Sequence, residues 1–377
     1  MEHWLLNNFL TLGLAFLMTG ILIPQILVIA FRKKLFDGHD ERKIHHGAVP
    51  RLGGIAFVPA IIFSVLAVIG VDLSGHSRAM MFALEEAMVP LLFLICSLML
   101  LFLIGIADDL IGIRYSAKFF FQLLAAALII AAGVWIDDLY GLLWIHILPY
   151  DWMGWGLTAL VVVYVVNSFN LIDGIDGLAA GLAAIALGFY AIVFYLGAAF
   201  IYSMIACAAF GSLLPFLYYN LFGSATRGKK IFMGDTGSLS IGMVVVFLAI
   251  GLTNFTLEPV SIGEFNPIVM AVAPLLIPML DSARVFLRRV RKGRNPFMPD
   301  RTHIHHKLLD LGLSPTAALA ILLAAGIIFL LSNVFLSPYV NINIIFLLDI
   351  AVWTVANIML TRAIRRREQR LQKDLYV

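Results

Sequence analysis

Val166–Gly177 reads VNSFNLIDGIDG and joins two apolar runs, Leu157–Val166 before it and Leu178–Leu196 after it. Asn167, Asn170, Asp173 and Asp176 recur at a spacing of three. On a helix each such step turns back by ~60°, so the first three share one face. Gly174 and Gly177 then weaken the helix, and a glycine backbone lets a ligand approach closely. Two carboxylates and two carboxamides at a membrane boundary are costly to bury, which marks the stretch as a candidate functional site. It suits a cation or a ligand rich in hydrogen-bonding groups.

The flanking runs belong to a chain-wide pattern. The 377 residues are 62% hydrophobic and 13% charged, with a mean hydropathy of +0.97. A soluble domain carries ~25% charged residues, so that class is excluded. Apolar runs of roughly twenty residues recur from end to end, which predicts an all-α, polytopic integral membrane bundle. Eleven spans are expected, over 6–31, 53–71, 88–107, 118–136, 155–170, 178–197, 199–219, 237–254, 266–286, 315–335 and 342–361. Residues 1–377 read as a single transmembrane domain ending in a basic tail, 362–377, with no soluble domain inserted. MEHWLLNNFL lacks the basic start of a cleaved signal peptide, so the first helix is expected to be retained. Cys96 and Cys207 lie inside apolar runs and read as neither a disulfide nor a metal site. No internal repeat of the secondary-transporter kind is apparent.

Charge then orients the bundle. With the N-terminus outside, twenty-five of the 26 Lys and Arg fall on the cytoplasmic side, and only Arg78 lies outside. Such an asymmetry predicts an outer N-terminus and a cytoplasmic C-terminus. The outer loops carry acids such as Asp137, Asp138 and Asp151, read as solvated, amid interfacial Trp135, Trp144, Trp152 and Trp155. The runs RRVRKGR and RAIRRREQRLQK read as anchors on anionic lipid headgroups.

In this topology every unusual polar cluster falls on the inner face. Asp108 and Asp109 end the third span in LIGIADDLIGI, and adjacent side chains point different ways on a helix. One can face a metal while the other faces a basic partner, or both can be a solvated helix end. Lys118 offers a point charge to a phosphate, or simply snorkels at the start of a span. Asn220 closes the seventh span, and Asp235 follows in FMGDTGS between Gly234 and Gly237. Glycines around an acid at a helix N-terminus suit phosphate or metal binding, although Asp235 or Thr236 could equally be a plain N-cap. Phe232 offers a stacking face to a base or packs at the interface. In PDRTHIHH, Arg301 with His303, His305 and His306 suits pyrophosphate better than zinc, since no cysteine accompanies them. Hard oxygen donors suit Mg²⁺ or Mn²⁺, and the opposed basic groups suit phosphates; together they are equipment for phosphoryl transfer. At the inner bilayer surface, a lipid and a cytosolic nucleotide are the expected substrates.

At these residues the chain resembles the polyprenyl-phosphate N-acetylhexosamine-1-phosphate transferases of glycosyltransferase 4 type. It is most similar to the branch that starts enterobacterial common antigen, O-antigen or teichoic acid chains. The resemblance runs from VPRLGG at Val49–Gly54 through ADD at Ala107–Asp109, NLIDGIDGLAAG from Asn170 and FMGDTGS from Phe232 to PDRTHIHH from Pro299. It implies attack of undecaprenyl phosphate on the β-phosphorus of a UDP-N-acetylhexosamine, UDP-GlcNAc by default, with UMP released and Mg²⁺ or Mn²⁺ required. It implies a bacterial cytoplasmic-membrane enzyme with its site facing the cytoplasm. Matched by motif, Asp235 and Asn170 would bind the metal. Asp108 and Asp109 would position the metal or the lipid phosphate, and Asp173 would support the metal and diphosphate. Asn167 belongs to the same substrate-facing cluster and Lys118 to the phosphate. Asp176, Phe232 and Asn220 would hold the uridine, while Arg301, His303, His305 and His306 would engage the diphosphate or the sugar. A phosphate monoester has a second pKa of ~6, so the lipid phosphate is mostly dianionic at neutral pH and a base is not obligatory.

PRLGG and HIHH point away from the muramoyl-pentapeptide branch, whose patterns resemble PTMGG and HHH, and GSATRGKK between Asn220 and Asp235 also departs from it. That branch, or another UDP-aminosugar, is the alternative within the family. A cation-coupled transporter is the rival from another class; it calls for acids near mid-span, where only Asp349 and Asp281 lie. A scaffold without chemistry would not gather acids and histidines on one face. Nucleic acid is not an expected partner. Lipid-facing helices leave room for a homodimer, though no motif specifies one.

Overall fold

The computed structural model describes residues 2–35, 49–254, 265–293 and 302–374, with side chains as far as 369. The helices are α1 Glu2–Lys33, α2 Phe57–Ser74, α3 Arg78–Ile111, α4 Tyr115–Ala131, α5 Asp151–Ile172, α6 Leu178–Leu196 and α7 Phe200–Phe222. They continue as α8 Gly234–Asn254, α9 Pro267–Val272, α10 Leu276–Arg291, α11 Ile304–Asp310, α12 Pro315–Leu336 and α13 Ile342–Asp374. Among the described residues the extended structure amounts to one isolated bridge, Asp138 to Ile147.

Ten spans are long and apolar enough to cross a membrane, and α4 adds a shorter apolar helix of 17 residues. The eleven expected segments are therefore all helical, with shifts that have local causes. The fourth was expected over 118–136 but stops at Ala131, because Gly133 adopts φ +82° and turns the chain. The segment expected over 266–286 is split into α9 and α10 by a 3-10 turn, Ala273–Leu275, where Pro274 cannot donate to the helix ladder. α3 starts ten residues ahead of its expected span, at Arg78, where the Ser77 side chain accepts from the Met80 N–H (3.3 Å). The basic tail continues α13 as helix to Asp374, as its Ala, Arg, Glu, Gln and Leu content favours. α11 lies in what the sequence presents as a loop.

α8 is the axis of the bundle. Every residue from Thr236 to Thr253 is buried, enclosed chiefly by α3, α5 and α6. Apolar tails do not drive helices together inside lipid, so close packing over small residues has to do it. Gly105 of α3 meets Thr236 so closely that a Cβ there would lie 2.5 Å from the Thr236 Cα. A 3-10 turn, Gly53–Ala56, leads into α2 and lies against the start of α8, where a Cβ on Gly54 would lie 2.0 Å from the Gly237 nitrogen.

The two ends of α8 have different company. At its C-terminal end the Tyr140 hydroxyl donates to the Thr253 carbonyl (2.7 Å), and Tyr140 in turn donates its N–H to Asp138 (2.6 Å). The Asp137–Asp138 pair thus lies ~27 Å along the helix axis from Asp235, at the opposite end from Asp108–Asp109. At Gly54 the close neighbour is backbone and cannot give way, so Gly54→Ala is expected to cost about 1–3 kcal/mol. Gly70→Ala, with open space around it, should be neutral or mildly stabilising. Thermal unfolding of the two variants in the same detergent checks the pair.

Candidate functional site

The construction of the site begins with the N-terminus of α8. Its first N–H groups have no intrahelical acceptors. Asp109, from the end of α3, supplies the acceptors. Its Oδ1 takes the Asp235 N–H (2.7 Å), and its Oδ2 takes the Thr236 N–H (2.9 Å) and hydroxyl (2.6 Å). Gly234 makes this fit, with φ +73°; a Cβ there would strike the Arg51 carbonyl at 2.1 Å and the Asp109 carboxylate at 2.7 Å. The cap of α8 is therefore supplied in trans by Asp109.

Asp108, the neighbour of Asp109, turns the other way. Its Oδ1 accepts the Ile113 N–H (2.7 Å), and its Oδ2 pairs with Lys118 of α4 (2.9 Å). The same Lys118 ammonium reaches Asp235 Oδ2 (2.8 Å), so one cation bridges two carboxylates. The other Asp235 oxygen accepts from the Asn170 amide, which also donates to Ser238 Oγ (2.8 Å).

The loop after α5 closes the site from the other side. Asp173 ends α5, and the turn through Gly174 to Gly177 carries Asp176, which pairs with Lys230 (2.5 Å). Asn220 is buried and holds this turn: its Oδ1 accepts the Gly177 N–H (2.6 Å) and its Nδ2 donates to the Ile231 carbonyl (2.9 Å). Next to it the 50–54 and 232–233 segments are laced by three backbone hydrogen bonds of 2.8–2.9 Å, which carry Arg51 and Phe232 to the cavity wall.

The result is a cavity of about 420 Å³. Asp108, Asp109, Asp173, Asp176, Asp235 and Asn170 line it, with Arg51, Phe232 and Asn220. Burial, followed by the charges of Asp235 and Asp176, pushes the Asp173 carboxyl up to about 7, and Arg51 only partly offsets this. The cavity is thus crowded with negative charge and favours a bound cation.

The HIHH segment is built behind this cavity. His303 donates from Nδ1 to Asp281 (2.8 Å), a fully buried acid of α10 that also takes Arg284 (2.7 Å) and the Ile304 N–H (3.0 Å). His305 is 1% exposed, and a Cβ on Gly174 would lie 2.0 Å from its Nε2. Burial first, then the neighbouring His306 and His303, lowers its imidazole to about 4, so it is neutral at pH 7.

These positions modify the residue-by-residue expectations. Asp108, Asp109, Asn170, Asp173, Asp176, Asn220, Phe232 and Asp235 come together in one cavity wall, and Lys118 is bound into it. Asn167, expected at the substrate, instead exchanges side-chain hydrogen bonds with buried Gln122 of α4 (2.7 and 3.3 Å), since it sits a turn deeper in the bundle. The Asn220 amide, expected on the uridine, is committed to two backbone groups. Asn167, His303 and His305 lie outside the cavity lining. Arg301 lies outside the described residues. Arg51, Lys230 and Asp281 were not singled out. PRLGG held the clue to Arg51 and GSATRGKK the clue to Lys230, whereas Asp281 looked like an isolated acid within an apolar span.

Residues 91–253 match the model of "Glycosyl transferase family 4". A Bacillus subtilis (strain 168) protein named "Probable undecaprenyl-phosphate N-acetylglucosaminyl 1-phosphate transferase" is 31% identical over 90% of this chain and 88% of its own length. The Yersinia pestis "Undecaprenyl-phosphate alpha-N-acetylglucosaminyl 1-phosphate transferase" is 30% identical over 79% of this chain and 76% of its own. A protein of the same name from Escherichia coli O157:H7 is 29% identical over 95% of this chain and 94% of its own.

The Asp173 environment yields a pH-dependent prediction. A carboxyl raised in the folded state favours folding while protonated and opposes it once ionised, so wild-type stability is lost as pH rises from about 4 through about 7. Asp173→Asn removes the ionisation. In metal-free buffer it should be more stable than wild type by about 1–2 kcal/mol at pH 8, after discounting for partial solvent screening, and equal to it near pH 4. Melting curves at the two pH values check the sign. By motif, cavity geometry and overall similarity, the chain belongs to glycosyl transferase family 4.

Proposed function

We propose that this protein transfers N-acetylglucosamine-1-phosphate from UDP-GlcNAc to undecaprenyl phosphate, releasing UMP, at the cytoplasmic face of a bacterial cell membrane. The names of the relatives support the substrates. The observation that carries the reading is the cavity itself, where five carboxylates face Arg51 and Lys118 at one end of the bundle. A neutral or apolar substrate would leave those charges without a purpose. A diphosphate accompanied by a divalent cation uses both signs.

Among the described residues no three His, Cys, Asp or Glu groups form a closed ligand cage. Mg²⁺ does not need one, because it usually takes one or two carboxylates and fills the remaining positions with water and substrate phosphate. Asp235 with the side-chain amide of Asn170 fits that use, since an amide presents either its oxygen or its nitrogen by a χ2 flip. Bound there, Mg²⁺ or Mn²⁺ would neutralise the diphosphate and polarise its oxygens.

In the reaction a lipid phosphate oxygen bonds to the β-phosphorus while the bond from that phosphorus to the bridging oxygen breaks, leaving UMP. Asp109 spends its lone pairs on the α8 cap, and Asp108 is tied to Lys118 and the Ile113 N–H. Neither serves as a base, and a dianionic lipid phosphate does not require one. Asp108 instead holds Lys118 at the reacting phosphates as a fixed positive charge. Arg51 opposes charge on the diphosphate, and Phe232 offers its face to the uracil beside Asp176. The downstream product is the lipid carrier of a surface polysaccharide of O-antigen, common-antigen or teichoic-acid type.

Purified protein with undecaprenyl phosphate, Mg²⁺ and a panel of UDP-sugars should release UMP from UDP-GlcNAc. Asp235→Asn should lower kcat by about 10²–10³-fold, the scale of one lost electrostatic contact at a transition state, and EDTA should stop turnover. UMP from a different donor would keep the chemistry and change the sugar. No UMP from any donor, with folded protein and lipid present, would reject the transferase.

A further inference from the structure

We infer that Asp281 is a positioning residue for this site, acting through His303 and His305 on the Gly174 turn. Asp281 sits on α10, is fully buried, and is not among the residues that line the cavity. Its two oxygens nevertheless receive three groups from the HIHH region and its support: His303 Nδ1 at 2.8 Å, the Ile304 N–H at 3.0 Å and Arg284 Nη2 at 2.7 Å. Arg284 also donates through the same Nη2 to the Thr302 carbonyl (2.5 Å), so residues 302–304 are fastened to α10 at consecutive positions.

An ionised carboxylate only accepts, so His303 must carry its proton on Nδ1. This fixes the tautomer and leaves Nε2 as the other ring position. The next histidine transmits the arrangement. The His303 and His305 rings stack with centroids 5.8 Å apart, and the His305 edge presses on Gly174 with no room for a side chain there. Among the described residues, neither of the two buried His305 nitrogens has a hydrogen-bond partner. Their contribution is therefore shape, a wedge behind the turn that carries Asp173 and Asp176. Loosening Asp281 releases the wedge, and the acids on the turn lose their place.

The inference rests on the proposed transferase for its kinetic readout alone. Asp281→Asn is isosteric, but it offers an amide N–H to His303 and should move the ring proton to Nε2. Nitrogen-15 NMR of histidine-labelled, substrate-free protein reads that tautomer whether or not any donor is turned over. We expect Nδ1–H in wild type and Nε2–H in Asp281→Asn. We also expect kcat to fall by about tenfold or more, as when a group that orients a ligating histidine is lost, while KM for the donor changes little. In a His303→Ala background Asp281→Asn should add almost nothing, because the route through His303 is already cut. An unchanged tautomer in Asp281→Asn overturns the proposal. So does a fully additive loss on His303→Ala that tracks a lower melting temperature, since it would make Asp281 a stabiliser of the fold alone. Absence of UMP release by the wild type would reject the transferase and leave the tautomer result standing.

Discussion

Everything at the working end of this protein depends on the capping of the first turn of α8. A helix start leaves N–H donors without intrahelical acceptors, and each one buried unmet costs on the order of 1–3 kcal/mol. Asp109 meets three donors with one carboxylate. The solution has a consequence for chemistry. Because the cap comes from α3, the side chain of Asp235 is released from capping its own helix and turns to Lys118 and Asn170. The fold stabilises its central helix and frees its principal acid with the same contact.

The second constraint is charge. Five carboxylates around one cavity repel one another, and burial first, then the charges of Asp235 and Asp176, raise Asp173 to about 7. The fold tolerates them because each acid has a compensating neighbour, with Asp108 and Asp235 sharing Lys118. Asp108 has Lys118, Asp176 has Lys230, Asp109 has a helix terminus, and Asp173 has Arg51 in its surroundings. A divalent cation bound here would offset part of the remaining negative charge and, by mass action, stabilise the fold.

The sequence made the helices, the clustered acids and the spacing of the motifs legible, because apolar length and isolated charge are properties of single segments. Partner choice between segments was less legible. Asn167 and Asn170 look alike in VNSFN, yet one pairs with Gln122 and the other with Asp235; the difference is how deep each sits along α5. Asn220 was expected on the uridine; it lines the cavity, with its amide bonded to the Gly177 N–H and the Ile231 carbonyl. Asp281 was legible only as an acid within a span, since of its partners Arg284 is one helical turn away but His303 is 22 residues on and reaches it only in the folded chain.

The HIHH segment shows the same principle at a larger scale. Three histidines beside an arginine read naturally as a row of anion ligands, and a flat reading gives each the same work. In the folded chain they divide it. His303 is oriented by a buried carboxylate, and His305 is neutral, sealed and pressed on a glycine. A neutral, buried imidazole brings no positive charge to a diphosphate, but packed against Gly174 it fills the space behind the turn. Gly174 is small because His305 is there, and Asp173 and Asp176 stand on either side of the contact. The motif thus holds more than the row of anion ligands that the sequence suggests: His303 is tied to α10 and His305 packs behind the turn that carries the acids.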